Sequence, residues 1–177
     1  MTPTKITTYL LALLVMGCAE PNKETTGKDQ PPGNTVGQTV MIKAHNGTYV
    51  GCELGGDTVL QDALRAGKDT VADWEYFTQF TNADGTVAFQ AANGKYWCAD
   101  SDKGNFILAN RGYIGAWESF EIVPQSGGEV AIRSHTGKYI AADHGLPEAQ
   151  RGRLVADRLS VGDWELFTII PVTSGTP

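Results

Sequence analysis

Hydrophobic and polar residues alternate in three short stretches of this sequence, at residues 40–44, 87–91 and 130–134. Alternation with a period of two is typical of a β-strand with one buried face. A turn containing glycine follows each stretch, and glycine favours tight hairpin turns because it adopts positive φ without strain. The pattern therefore predicts three hairpins, whose second strands open at Tyr49, Tyr96 and Tyr139.

The hairpins belong to a longer repeat. The turn glycines lie 47 and 43 residues apart, the tryptophans that follow them lie 43 and 47 apart, and a phenylalanine comes three residues after each tryptophan. Within each repeat we predict a third strand (64–66, 107–109 and 154–156) and a fourth (75–80, 118–123 and 165–170). The repeated residues are Gly47, Gly94, Gly137, Trp74, Trp117, Trp164, Phe77, Phe120 and Phe167.

Three units of about 45 residues, each with four short strands, predict an all-β protein with the β-trefoil fold. In that fold six strands form a short barrel that three hairpins close, so that every unit buries its apolar face against the other two. A propeller is the alternative with four strands per repeat, but three blades are fewer than the four to eight of that architecture.

Several segments carry a family resemblance. The turns HNGTYV (45–50) and NGKYW (93–97) and the runs ANRGYIGAWESFEI (109–122) and DWELFTI (163–169) resemble the fascin-type β-trefoil family. The resemblance covers residues 40–171 and implies the trefoil fold. Actin bundling by that family uses several such domains in one chain, so we do not transfer it to a chain with one. The Gln-x-Trp triplet of ricin-type lectins is absent.

The N-terminal segment predicts export. Residues 1–17 contain Lys5 and a short apolar core, and Cys18 follows Gly17 as in the lipobox of bacterial lipoproteins. That resemblance implies cleavage before Cys18, a lipid on its sulfur and, with Ala19 next, an outer-membrane destination. An ordinary secretory peptide is the alternative. Residues 18–38 are polar and rich in proline and glycine, which predicts a flexible linker before a domain at 39–172 and a disordered tail at 173–177.

The formal charge of −6 gives no basis for binding nucleic-acid phosphates. The sequence contains no GxSxG motif, no phosphate-binding glycine loop and no metal-ligand spacing, although His45 and His135 share a turn position. We therefore expect a monomer that is not an enzyme and has no cofactor or metal.

Cys52 and Cys98 are offset by one residue in equivalent strands, which favours two buried thiols over a disulfide.

Residues repeated alike in all three units are predicted to be structural. This group includes the three phenylalanines, which we assign to the core, and the three tryptophans, which we assign to the core or to a cap over it, with stacking of a ligand on the tryptophans as the alternative. A cation and a carboxylate also recur in every unit and predict ion pairs at the repeat corners, while Trp97 is a larger core residue in place of Val50 and Ile140. The recurring charged residues are Lys68, Arg111, Arg158, Glu75, Glu118 and Glu165.

The polar and aromatic residues of the turns predict a binding function. Trefoil proteins commonly present a shallow saccharide site on each repeat, so we expect a surface-anchored module that binds a carbohydrate polymer through several weak sites. The alternatives are a protein–protein adaptor or structural component of the envelope, with an envelope protein as partner, and, last, an enzyme. The candidate ligand-binding residues are Asn46, Tyr49, Asn93, Tyr96, Tyr113, Thr136 and Tyr139.

Overall fold

The computed structural model describes residues 36–54 and 61–173. They form twelve strands in three groups of four. The first group is Gln38–Ala44 (β1), Tyr49–Glu53 (β2), Ala63–Lys68 (β3) and Tyr76–Thr81 (β4). The second is Val87–Gln90 (β5), Tyr96–Asp100 (β6), Phe106–Arg111 (β7) and Glu121–Pro124 (β8). The third is Val130–Arg133 (β9), Tyr139–Asp143 (β10), Arg153–Arg158 (β11) and Phe167–Pro171 (β12).

The first and fourth strands of the repeats form a six-stranded barrel. Antiparallel pairs join β12 to β1, β1 to β4, β4 to β5, β8 to β9 and β9 to β12. A bridge between Val87 and Phe120 connects β5 to the start of β8 and closes the ring.

The second and third strands of each repeat form a hairpin, and the three hairpins meet at one end of the barrel. Each third strand pairs with the other two, through Ala63 with Leu108, Phe106 with Val155, and Arg65 with Arg153. Every hairpin also has a register shift directly after its tyrosine, at Tyr49, Tyr96 and Tyr139. This threefold arrangement confirms the predicted β-trefoil.

The core contains the repeated phenylalanines. Phe77, Phe120 and Phe167 are at most 1% exposed, as the sequence predicts. Trp97 is fully buried among aromatic rings, with centroids 4.9 Å from Phe77 and 4.8 Å from Phe89. The prediction that Trp97 is an enlarged core residue is therefore confirmed, and the core departs from threefold symmetry where repeat 2 contributes this indole.

The tryptophans that follow the hairpins are not core residues, which corrects the prediction. Trp74 and Trp164 are 44% and 42% exposed, and Trp117 is half-buried. Each is the central residue of a short 3₁₀ turn whose next residue, a glutamate, is buried instead. Because these turns occupy the first positions of the predicted fourth strands, β4, β8 and β12 begin one to three residues later than predicted.

Cys52 and Cys98 are both buried and are not linked to each other. Burial raises the pKa of each thiol to about 12, so both are protonated at neutral pH.

Residues 1–35 and 174–177 lie outside the described residues, and with them the predicted signal peptide, the lipid site at Cys18, most of the linker and most of the tail. In the described part of the chain, no helix is long and apolar enough to cross a membrane.

Candidate binding site

A buried glutamate closes the 3₁₀ turn at the corner of every repeat. Glu75, Glu118 and Glu165 are at most 5% exposed. In each, Oε2 accepts a hydrogen bond from the backbone N–H three residues earlier, at 2.9, 2.9 and 2.7 Å. The donor is the capping residue of the turn, Ala72, Gly115 or Gly162, which has no polar side chain of its own, and this hydrogen bond holds the glutamate in a buried position.

In repeats 2 and 3 an arginine from the third strand reaches this carboxylate. Arg111 Nε lies 3.7 Å from Glu118 Oε1, and Arg158 Nε lies 3.6 Å from Glu165 Oε1. Each guanidinium also pairs with the last residue of the second strand, at 3.3 Å to Asp100 and 2.7 Å to Asp143. The predicted corner ion pairs are confirmed in these two repeats.

Repeat 1 is built differently at the same corner. Lys68 replaces the arginine and is exposed, and within residues 36–54 and 61–173 it forms no salt bridge with Glu75. Glu53, which stands where the other repeats have aspartate, pairs with Arg65 at 2.9 Å and Arg153 at 3.3 Å. Among the described residues, Glu75 Oε1 therefore has no hydrogen-bond partner.

Gly51 accommodates this carboxylate. A Cβ at Gly51 would collide with Glu75 Oε1. The equivalent residues of the other repeats, Cys98 and Ala141, do carry a Cβ, and there the glutamate lies against an arginine. Glycine in β2 thus leaves room for the Glu75 carboxylate, which forms no salt bridge within the part of the chain that the structure describes.

A cavity of about 490 Å³ opens over this corner. We call it the repeat-1 hollow. Its walls come from the β1–β2 turn, the β2–β3 hairpin and the loop after β10 in repeat 3. Asn46 Nδ2 donates to His144 Nε2 at 3.0 Å and joins the two repeats at its edge. Its charged lining residues are Glu53, Arg65, Lys68, Glu75, Glu148 and Arg151, and Asn46, Trp74 and His144 line it as well.

The three corner tryptophans differ in what covers their rings. The Arg111 guanidinium lies 5.8 Å from the centre of the Trp117 ring, and His135 stacks on it at 5.8 Å with an angle of 18°. The rings of Trp164 and His144 lie nearly perpendicular, at 82°, with their centroids 6.0 Å apart. Across the described ranges Trp74 forms no such contact, and it is exposed to nearly the same extent as Trp164, 44% against 42%.

Most of the turn residues proposed as ligand contacts serve the fold. Asn93 donates to Ala109 O at 2.9 Å and accepts from the backbone N–H of Lys95 at 2.9 Å. Asn46 likewise accepts from Thr48, and Thr136 bonds to Ser134. Tyr96 is 6% exposed, so it cannot offer a ring face. The turns are held by these contacts, as expected of hairpin ends.

The remaining candidates are dispersed. Tyr49 and Tyr139 are half-buried, and Lys43 Nζ lies 5.3 Å from the Tyr49 ring centre. Tyr113 is 52% exposed in the loop after β7. Of the seven predicted contacts, Asn46 is the one that lines the repeat-1 hollow.

Sequence reasoning missed the residues that make repeat 1 distinct. Lys68 and Glu75 were assigned to an ion pair that the structure does not contain, and Gly51 was not singled out. The available signal was the alignment of the repeats, in which Gly51 and Lys68 replace a Cβ-bearing residue and an arginine.

In the described part of the chain, no group of three His, Cys, Asp or Glu residues is placed to hold a metal ion.

No protein-family model and no curated protein matches this sequence. Among solved structures, the Rhizoctonia solani agglutinin is similar with a TM-score of 0.60 at 15% identity, covering 80% of this chain and 99% of that one. The BEL β-trefoil is similar with a TM-score of 0.59 at 14% identity, covering 79% and 98%.

An endo-β-galactosidase from Clostridium perfringens, described as releasing GlcNAcα1-4Gal, is similar with a TM-score of 0.61 at 15% identity. The match covers 77% of this chain and 33% of the enzyme, so this chain spans about a third of that protein's length. These likenesses, together with the strand pairing, identify the fold as a β-trefoil.

Proposed function

We propose that this protein is a non-catalytic carbohydrate-binding module and that a saccharide ring binds against Trp74 in the repeat-1 hollow. The observation that carries the proposal is a 44% exposed indole in the same cavity as the carboxylate of a buried glutamate, whose Oε1 has no hydrogen-bond partner among the described residues. An aromatic face packs well against the C–H surface of a sugar ring, and a carboxylate is a strong acceptor for hydroxyl donors.

The other lining groups suit the same ligand. Lys68 is exposed at the wall of the hollow and can donate to ring or hydroxyl oxygens. The β-trefoil neighbours include an agglutinin and a glycan-cleaving enzyme, which supports a saccharide as the ligand class. The proposal places one principal site in repeat 1 instead of three equivalent sites, since arginines occupy the other two corners.

A glycan array and polysaccharide pull-down with the purified full chain test this function. Trp74→Ala should lower the affinity for the bound glycan at least tenfold, because it removes the stacking surface. Trp117→Ala is the matched control: it is the same change at the equivalent turn, and we expect unchanged glycan binding. Equal binding by wild type and Trp74→Ala would overturn the assignment. Failure to bind any glycan, with capture of a specific envelope protein, would replace it with the adaptor function.

We also propose that the module is held at a bacterial outer membrane by a lipid on Cys18, as the sequence of residues 1–18 predicts. Cys18→Ser should move the protein from the membrane fraction to the soluble fraction, while a Cys52→Ser control should not. Mass spectrometry of the N-terminal peptide would identify the attached lipid; an unmodified Cys18 would contradict the proposal. Membership of the fascin-type group stays a prediction from residues 40–171.

A further inference from the structure

We infer that the repeat-1 hollow recognises a protonated amine on its saccharide, so that an amino sugar is preferred over a neutral one, and that Glu75 binds this amine. The inference rests on the proposed function and names its ligand class. The molecule itself provides the template, because two corners of the same construction each hold a cation in the equivalent place.

The template is the guanidinium of repeats 2 and 3. There the buried glutamate uses Oε2 for the backbone N–H of its turn, and Oε1 faces the Nε of arginine at 3.7 or 3.6 Å. Repeat 1 keeps the first half of this arrangement, since Glu75 Oε2 accepts from the N–H of Ala72 at 2.9 Å. The second half is missing among the described residues, and the cavity opens at that point.

The burial of Glu75 makes a cationic ligand favourable. The residue is 4% exposed, so most of its hydration is already lost in the free protein. A buried carboxylate without a charge partner is costly, and a hydrogen bond in which donor and acceptor are both charged is stronger than a neutral one. An ammonium group on the ligand would therefore gain more at Glu75 than a hydroxyl group would.

The cations around the hollow do not satisfy Glu75 in the described structure. Arg65 is engaged by Glu53 and by the backbone carbonyls of Arg151 and Glu148, at 2.9, 2.7 and 3.1 Å. Lys68 is exposed, and its ammonium lacks the planar fork with which Arg111 contacts Asp100 and Glu118 together. Lys68 also lacks the aspartate that positions the arginines, because Glu53 is turned towards Arg65 and Arg153.

Two further features of the protein favour a cationic ligand: the Trp74 indole and the negative net charge. Trp74 and Glu75 line the same cavity, and a cation near an indole face is attracted by the ring quadrupole. The chain carries a formal charge of −6, which favours the approach of cations over anions. A ring that stacks on Trp74 while its amine reaches Glu75 would use the indole and the carboxylate at once.

The test is calorimetric titration of the full chain with two oligosaccharides of equal length, a β-1,4-glucosamine oligomer and its N-acetylated counterpart, at low salt and a pH that protonates the amine. We expect at least tenfold tighter binding of the glucosamine oligomer. Glu75→Gln should abolish this preference, because it lowers the affinity for the glucosamine oligomer much more than the affinity for the N-acetylated oligomer. Glu165→Gln, the matched change in repeat 3, should leave the preference intact.

A second variant keeps the test independent of any stability loss in Glu75→Gln. Lys68→Arg should place a permanent guanidinium charge beside Glu75 and weaken binding of the glucosamine oligomer at least tenfold. Equal affinity of the wild type for the two oligomers, or a preference that survives Glu75→Gln, would overturn the inference.

The outcomes separate this inference from the proposed function. Binding of the neutral oligomer alone, lost in Trp74→Ala, would keep the carbohydrate function and remove the amine preference. No binding of either oligomer, nor of any array glycan, would remove both. A tetralysine peptide is the third titrant, and binding as tight as that of the glucosamine oligomer would overturn the amino sugar as ligand.

Discussion

The corners of repeat 1 and repeat 3 share the same turn, tryptophan and glutamate but differ in what the glutamate contacts. Both contain a 3₁₀ turn, a corner tryptophan at its centre and a buried glutamate that caps the turn through Oε2. In repeat 3 the other carboxylate oxygen meets Arg158. In repeat 1 lysine replaces arginine, glycine replaces alanine in the second strand, and glutamate replaces aspartate at its end.

The comparison shows that one carboxylate can be structural or available depending on its neighbours. Arg158 is held by three acids, Asp143, Asp157 and Glu165. At the corner that has Lys68 instead, a cavity opens over the glutamate. Residues that are alike in all three repeats therefore form the scaffold, and the residues that differ in repeat 1 form the candidate site.

The largest expected effect separates the two glutamates by stability. Glu165→Ala should lower the free energy of unfolding by about 3 kcal/mol, because it leaves a turn N–H unsatisfied and removes a partner of Arg158. Glu75→Ala should cost about 1–2 kcal/mol, since it loses the same N–H acceptor but no ion pair. Urea unfolding of both variants measures the difference; equal losses would show that Arg158 adds nothing to its corner.

A smaller effect concerns the space that Gly51 provides. Gly51→Ala should destabilise the protein by about 1–2 kcal/mol, because the new Cβ collides with Glu75 Oε1. In a Lys68→Arg background the cost should fall by about 1 kcal/mol, since an arginine would draw the carboxylate away from β2. A double-mutant cycle from urea denaturation measures this coupling. Additive losses would mean that the two substitutions in repeat 1 are unrelated.

The smallest effect concerns the ionisation of His45, in the turn between β1 and β2. His45 Nδ1 lies 2.9 Å from Glu129 Oε1, and this hydrogen bond raises the pKa of His45 above its usual value near 6.5. The protonated pair stabilises the fold below that value, and the contribution is lost as the pH rises through the higher folded-state pKa. NMR titration should show Glu129→Gln returning the pKa of His45 towards 6.5, with Trp117→Ala as a control that leaves it unchanged.

Much of the fold could be predicted because its requirements recur three times. The turn glycines, the tyrosines that open the second strands and the buried phenylalanines occupy equivalent places in every unit, so a threefold barrel follows from their spacing. The pairs Arg111–Glu118 and Arg158–Glu165 were predictable for the same reason. Trp97 was identifiable as a larger residue at a position that is buried in every repeat.

The exposed tryptophans were not predictable from hydrophobicity. Side-chain polarity alone would bury Trp74 and expose Glu75, but the turn needs an acceptor for its N–H, and this requirement reverses the two. The contribution of His144 to the repeat-1 hollow was also hidden, because it comes from a loop 98 residues away from Asn46 in the chain. Among the described residues Glu75 forms no ion pair while Glu53 pairs with Arg65 and Arg153, and the sequence alone does not show these pairings.

The closure of the strand ring has a consequence for behaviour at high concentration. Every barrel strand has neighbours on both sides, and each hairpin meets the other two, so the backbone offers little unpaired edge to another molecule. Many copies could then crowd together without strand-by-strand polymerisation. Contacts between such a domain and its surroundings fall to side chains, where a few substitutions can change what is recognised while the scaffold stays the same.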